Sequence, residues 1–391
     1  MRVTHLSLTD FRNYESAELD LVTGPNLFVG SNGQGKTNLV EALGYLSTLG
    51  SHRVSTDHAM IRSGCESAIV RARVSSAEQS VLVELQLNRA GANRAQVNRS
   101  AIKTRELPRY FSSVLFAPED LALVRGEPSG RRRFLDELLV LRTPRMTGVL
   151  ADYDRVLRQR NSLLKSARAS GARGQLGTLD IWDERLVAFG TEIIESRVDL
   201  IEELVPEVDL AYGAIAGREH VASLAGRLSI HSSGAEDLDT GPADEELRGD
   251  RLTAEQTADG FRAALLRLRK SELERGITLA GPHRDDLTLT LNGLPARGYA
   301  SHGESWSFAL SLKLAAAAVL RRESTSGDPV LILDDVFAEL DESRRDRLAD
   351  AIEGFEQVLI TAAVGGDVPS RLAGHTVLIR AGRIAESDDS A

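Results

Sequence analysis

Gly30-Ser31-Asn32-Gly33-Gln34-Gly35-Lys36-Thr37 is a complete G-x-x-x-x-G-K-[ST] run, and its surroundings decide how it is read. Asn26-Leu27-Phe28-Val29 before it is a short apolar strand pattern. Leu39, Val40, Leu43 and Leu46 after it fall at helical spacing. A glycine-rich turn between strand and helix aims successive backbone N–H groups into one concavity, where they cradle phosphates at the positive end of the helix dipole. Lys36 would reach the outer phosphates of a nucleotide, and Thr37 would put its hydroxyl on Mg²⁺.

The 391 residues are 42% hydrophobic with a net charge of −10, which suits two domains or one domain with a large insertion. The longest apolar run, Leu314 to Leu320, is far short of a bilayer span, and Met1 to Asp20 lacks the apolar centre of a signal peptide. The expectation is a cytoplasmic protein with no membrane contact. A lone cysteine, Cys65, excludes an internal disulfide and a cysteine metal cluster.

Alternating residues predict strands over 1–8 and around Leu19-Asp20-Leu21, joined about Phe11-Arg12-Asn13-Tyr14. Arg12 in that turn is either a solvated cation or one held near the phosphates. Two further alternating runs lie between Ala68 and Leu87. The basic, small-residue stretch from Arg89 to Arg105 reads as a surface loop. Val114 to Ala117 reads as a strand stopped by Pro118, with Asp120 placed to cap the next element. From Arg131 to Gln175 the composition turns basic, with eleven Lys or Arg against four Asp or Glu. Helical apolar stripes run through this region, through Ile181–Val205, and through Thr253–Glu274, the last opened by a Thr253-x-x-Gln256 capping box. The acidic stretch from His231 to Asp259 reads as a mobile loop.

After Gly276 a strand pattern returns at Asp286 to Leu291, and Ser301-His302-Gly303-Glu304 opens a strongly helical run. Val330-Leu331-Ile332-Leu333-Asp334-Asp335 then describes a buried parallel strand delivering a carboxylate to Mg²⁺ at its C-terminal edge. Lys36 and Asp334 stand 298 residues apart, yet both must touch one Mg-nucleotide. An α/β ATPase head made from residues 1–125 and 276–391, split by a helical insertion subdomain at 126–275, satisfies that requirement.

The phosphate loop, Ser301-His302-Gly303-Glu304, Leu331-Ile332-Leu333-Asp334-Asp335 and Ala338-Glu339-Leu340-Asp341 together resemble the phosphate loop, signature motif, Walker B strand and D-loop of the ABC ATPases. The split head is similar to the structural-maintenance-of-chromosomes group. More narrowly, Asp10-Phe11-Arg12-Asn13-Tyr14, Leu115-Phe116-Ala117-Pro118-Glu119-Asp120-Leu121, Arg131-Arg132-Arg133-Phe134-Leu135-Asp136, Gly281-Pro282-His283-Arg284-Asp285-Asp286 and Asp334 to Asp341 resemble the RecF family of bacterial recombination and repair proteins. That resemblance implies an ABC-type, P-loop ATPase head that dimerises with ATP between the phosphate loop of one subunit and the signature motif of the other. It also implies DNA binding by the dimer, action with RecO and RecR in loading recombinase at single-strand gaps, and support of replication and SOS induction. Carried over by position, Ser301, Gly303 and Glu304 would act in trans, Asp334 would hold Mg²⁺, Asp335 would stand as general base, and Arg12 and Asn13 would lie near the nucleotide.

Glu304 stands where the family often carries glutamine, Asp335 where ABC ATPases place glutamate, and Ala362-Ala363-Val364 offers no switch histidine. All three predict a weak DNA-dependent ATPase, a switch and not a motor. For DNA, Arg131, Arg132 and Arg133 are the densest cationic supply, and the absence of a groove-reading helix predicts structure-directed binding. The competing readings are other ABC-type complexes. A transporter subunit should carry a glutamine loop and switch histidine, a long-armed chromosome organiser needs sustained heptads, and an ABC-linked nuclease needs a further acidic C-terminal domain.

Overall fold

The computed structural model describes residues 1–76, 79–170, 176–232 and 252–385, so most of the acidic segment expected to be mobile lies outside the described residues. Two compact units emerge, one built from Met1–Leu121, Glu207–Val221 and Ser301–Ala391, the other from Ala122–Pro206 and Ala222–Ala300.

In the first unit a six-stranded sheet runs in the order Arg383–Ala385, Thr376–Arg380, Gly24–Val29, Gln357–Ala362, Val330–Asp334, Ser113–Phe116. All pairings are parallel except the Thr376–Arg380 with Arg383–Ala385 hairpin. The apolar run Val330 to Leu333 is completely buried, as expected of a strand covered on both faces. Because the loop-bearing strand and the aspartate-bearing strand flank Gln357–Ala362, the segments after all three leave the sheet at one carboxyl edge. That is where open α/β sheets bind ligands.

A second, antiparallel sheet of the same unit is ordered Tyr14–Asp20, Arg2–Phe11, Ser67–Ser75, Ser80–Asn88, Arg94–Val97, Ser100–Ile102. Val3, Leu6, Leu8, Val70, Ala72, Val83 and Leu85 join one apolar core, with clean alternation in Ser67–Ser75 and a register shift between Val3 and His5 in Arg2–Phe11. The expected surface loop at 89–105 is corrected here, since it holds two strands of this sheet. Asn98 and Arg99, at φ 50° and 68°, make the two-residue turn between them, a conformation that Asn-Gly would have signalled and Asn-Arg conceals.

The second unit packs helices Pro128–Arg142, Met146–Ser170 and Ala254–Arg275 with the 176–206 part of the helix Leu176–Ala216. Thr253 and Gln256 form the capping box read from sequence. A small sheet, Leu294–Pro295, Asp286–Leu291, Ala222–Arg227, completes it. This division differs from the one read off the sequence. The six-residue pairing of Ala222–Arg227 with Asp286–Leu291 keeps residues 276–300 with the helices, and residues 207–221 cluster with the first unit.

Candidate functional site

Gly30 leaves its strand where a Cβ would lie 2.3 Å from the carbonyl oxygen of Ile379, so only glycine lets the chain pass. Gly35 takes φ 117° at the start of the helix Lys36–Thr48, with the Tyr14 hydroxyl and Asn13 side chain closing the space a Cβ would need. The loop is braced from outside. Asn13 Nδ2 donates to Gln34 O at 3.1 Å, Tyr14 Oη donates to Gly35 O at 3.1 Å, and the amides of Gly382 and Ala381 donate to Gln34 O at 2.9 Å and Gln34 Oε1 at 2.5 Å. The first N–H groups of the helix have no intrahelical acceptor and open toward the loop.

Lys36 is buried, and its ammonium is weakly held: Nζ lies 3.5 Å from Ser31 O and 4.0 Å from Asp335 Oδ1. Thr37 Oγ1 donates to Asp334 Oδ1 at 3.0 Å across 297 residues of chain. The same Oδ1 accepts from Thr361 Oγ1 at 2.6 Å, and that hydroxyl accepts the Asp335 amide at 2.9 Å. Asp335 itself sits at φ 52°, a left-handed conformation that aspartate tolerates better than most side chains. Burial pushes the Asp334 carboxyl up to about 6, the two threonine hydroxyls pulling against it and the Asp335 charge adding to it. The Lys36 ammonium and the carboxylates of Asp334 and Asp335 thus gather at the carboxyl edge of the sheet.

No motif marks Thr361 in the sequence, though a threonine ending the buried run Gln357 to Thr361, opposite Asp334 in register, is its signal. Two other residues that sequence reasoning missed are Glu41 and His52. Arg12 meets Glu41, not the loop: Nε and NH2 donate to Glu41 Oε2 and Oε1 at 2.8 and 2.5 Å, and NH1 donates to Ala59 O at 2.8 Å. Burial alone would raise the Glu41 carboxyl, but Arg12 and Ser51 hold it below the ordinary range. Arg12 thus braces the Asp10–Tyr14 turn against the loop helix, and the Asn13 side chain bonds to the loop. Burial drives His52 down, against the nearby carboxylates of Glu119, Glu41 and Asp120.

Ser301 caps the helix His302–Glu323. Its Oγ accepts from the Glu304 amide at 3.3 Å, and Glu304 Oε2 accepts the Ser301 amide at 2.7 Å. Those hydrogen bonds hold the Glu304 carboxyl below its usual range. Glutamate thus closes the capping box as glutamine would, with a charge that suits a helix N-terminus.

The arginine triplet of the second unit needs correction. Arg131 is buried and bidentate on Asp286 at 2.8 and 2.9 Å, with NH1 on the carbonyls of Leu123 and Gly126. It is a structural cation and not a surface for DNA. Arg132 is half-buried, with NH1 donating to Asp285 O at 2.7 Å, and Arg133 is exposed and paired to Glu137 at 2.6 Å. Arg160, counted in the same basic stretch, is wholly buried.

The RecF/RecN/SMC N-terminal domain model matches residues 2–368. A DNA replication and repair protein RecF of Clavibacter sepedonicus is 65% identical over 389 residues, covering 99% of this chain and 95% of its own. The RecF of Leifsonia xyli subsp. xyli is 64% identical, covering 99% and 100%. A solved structure described as the recombination mediator protein RecF with ATP in the RecFOR pathway superposes with a TM-score of 0.86 at 29% identity, over 98% of this chain and 96% of that one. With its ABC-type head closed by residues from both ends of the sequence, the chain belongs to the RecF family of DNA replication and repair proteins.

Proposed function

We propose that this chain is an ATP-controlled DNA-binding protein of recombinational repair, dimerising on DNA with ATP and acting with RecO and RecR at single-strand gaps, with a part in SOS induction. The observation that carries it is the 3.0 Å contact of Thr37 Oγ1 with Asp334 Oδ1, which unites the two ends of the chain at one phosphate-binding loop. ATP is the nucleotide bound by the solved RecF relative, and the site here fits a magnesium triphosphate. Among the described residues the buried Lys36 ammonium has no carboxylate closer than Asp335 at 4.0 Å, and the buried Asp334 carboxyl has no lysine or arginine partner, only His52 Nε2 at 3.8 Å.

Lys36 and the helix N-terminus would bind the outer phosphates, with Gly30 to Thr37 wrapping them in backbone amides and Asn13 holding the loop in shape. Thr37 and Asp334 would hold Mg²⁺, whose chemistry when bound is to neutralise charge on the phosphate oxygens. Asp335 would act as the general base that orients water. Its carboxylate is one methylene shorter than glutamate and lies 4.0 Å from Lys36, which supports slow turnover and a switch role. Ser301, Gly303 and Glu304 would complete the site of a second copy, ATP favouring the paired state by binding it better than the separate subunits.

Size-exclusion chromatography with light scattering, with and without ATP and on gapped or duplex DNA, tests this reading. A dimer that needs ATP and is lost in Lys36→Ala is expected. Pairing that ignores ATP, or survives the Lys36 substitution unchanged, overturns it.

A further inference from the structure

His52 follows the loop helix by four residues and turns back into the nucleotide cleft. Its position is built. Ser51 Oγ donates to Glu41 Oε1 at 2.5 Å and accepts the amides of Arg53 and Val54 at 3.0 and 3.1 Å, so the backbone on both sides of His52 is pinned to a buried carboxylate of the helix. Arg12 locks that carboxylate from the other side. The ring nitrogen Nε2 is completely buried and has no hydrogen-bond partner among the described residues. It faces Asp334 Oδ2 at 3.8 Å, and both threonine hydroxyls on Asp334 go to the other oxygen, Oδ1.

A buried imidazole nitrogen left unpaired is costly, and a fold that fixes one this firmly against a carboxylate has a use for it. The gap is too long for a direct hydrogen bond and suits a single water that donates one hydrogen to Nε2 and the other to Oδ2. A water whose oxygen is committed to a metal ion has only its hydrogens to offer, and two acceptors are what it needs. We propose that His52 Nε2 and Asp334 Oδ2 together receive a water ligand of the magnesium ion, which makes His52 a positioning residue in the outer shell of the metal. The inference rests on the nucleotide reading above. It adds that the turn at 50–54, through Ser51 and Glu41, ties the Arg12 turn to the metal end of the site.

Isothermal titration with ATPγS, in excess Mg²⁺ and again in EDTA, separates the metal's share of binding from the nucleotide's. In the wild type Mg²⁺ should tighten binding. In His52→Ala that gain should shrink by roughly 10- to 100-fold, the usual cost of an outer-shell partner, with binding in EDTA unchanged. His52→Gln, whose amide oxygen can accept from water near the place of Nε2, should recover most of it, and the melting temperature of both nucleotide-free variants should match wild type. A full Mg²⁺ gain in His52→Ala overturns the proposal, as does equal weakening with and without Mg²⁺, which would place His52 against the nucleotide itself. Failure of the wild type to bind in either buffer would instead remove the nucleotide reading.

Discussion

Buried polar and charged side chains are satisfied differently around Arg160 in one unit and around Lys36 in the other. In the helical unit Arg160 has no exposed surface, and its guanidinium donates to Asp183 at 2.6 Å, Glu272 at 2.6 Å and Thr278 at 2.8 Å. Asp183 is shared with Arg269, and Glu272 also accepts the Leu279 amide. Arg197 is likewise bidentate on Asp136, with its remaining arm on Pro282 O. Among the described residues of the head, the Lys36 ammonium has polar contacts only at 3.5 and 4.0 Å, and His52 Nε2 has no hydrogen-bond partner. The Arg160 guanidinium is satisfied within the protein and serves the fold. Around Lys36 and His52 a bound ligand would supply the missing partners, so at these two places the way a buried polar group is satisfied separates a structural role from the proposed functional one.

Breaking the saturated side should cost most. Arg160→Ala leaves the buried Glu272 carboxylate without its cation and Asp183 with Arg269 alone, and a loss of about 3–5 kcal/mol is expected from urea unfolding. Trp182 and Trp306, the two tryptophans, fall in different units, so a Trp306→Phe background makes fluorescence report the helical unit alone. A change under about 1 kcal/mol would show that the network is not needed.

Next in size is the pH response of the run Gly281 to Asp286. Tyr153 Oη donates to His283 Nδ1 at 2.7 Å while Nε2 faces Thr278 O at 3.3 Å, and burial drives the imidazole down to about 3. Two residues on, burial lifts Asp285 to about 6 against the pull of Arg197 and Ser229, leaving its Oδ2 without a partner among the described residues. His283 binds fewer protons folded than unfolded, so its contribution is lost as pH falls from 6.5 toward 3. Asp285 binds more protons folded, so its contribution is full below 3.8 and lost as pH rises through 6. Between pH 6 and 4 the two oppose each other, each by up to about 2–3 kcal/mol. In the Trp306→Phe background His283→Gln should therefore gain relative stability on acidification and Asp285→Asn should lose it. Parallel slopes in the two variants would contradict the assignment.

On the unsaturated side the expected effect on stability is small and of the other sign. The Asp334 carboxyl, raised to about 6, carries its charge at a cost above that pH, and Asn keeps the oxygen that accepts from Thr37 and Thr361. Nucleotide-free Asp334→Asn at pH 8 should melt no lower than wild type and gain up to about 1 kcal/mol, while Mg²⁺ with ATPγS no longer raises its melting temperature. A marked destabilisation without nucleotide would make Asp334 a structural group like those around Arg160.

The same contrast explains how much was legible in the sequence. The strand Gly24–Val29, the helix after Gly35 and the strand Val330–Asp334 carry local patterns, and so does the Thr253 capping box. The features that escaped depend on partners far away in the chain. The basic stretch 131–175 looks cationic only locally, because Asp286, Glu203, Glu192 and the Asp183–Glu272 pair come from other segments to meet Arg131, Arg142, Arg145 and Arg160. Likewise Ala222–Arg227, Ala-Ser-Leu-Ala-Gly-Arg, has one large apolar residue and no β-branched one, so it does not announce itself as a strand without Asp286–Leu291 beside it. His52 and Thr361 have no motif at all, and only the parallel register brings Thr361 beside Asp334.

Adjacent arginines give the finest test, and the smallest effect. Arg131 and Arg133 share one helix, yet the first is buried on Asp286 and the second is exposed, with Glu137 one turn away. An exposed i, i+4 pair contributes about 0.3–0.5 kcal/mol, so Arg133→Ala should leave unfolding almost unmoved. If Arg133 also meets a phosphate, its loss weakens binding to gapped and duplex DNA alike and lowers the slope of log K against log salt by about one. Arg131→Ala should do the reverse, lowering stability by several kcal/mol while the folded fraction keeps the wild-type salt slope. A salt slope that changes with Arg131 but not with Arg133 would mean that the buried cation, and not the exposed one, sets the DNA contact, and the distinction drawn from charge satisfaction would fail at the place where it is simplest to apply.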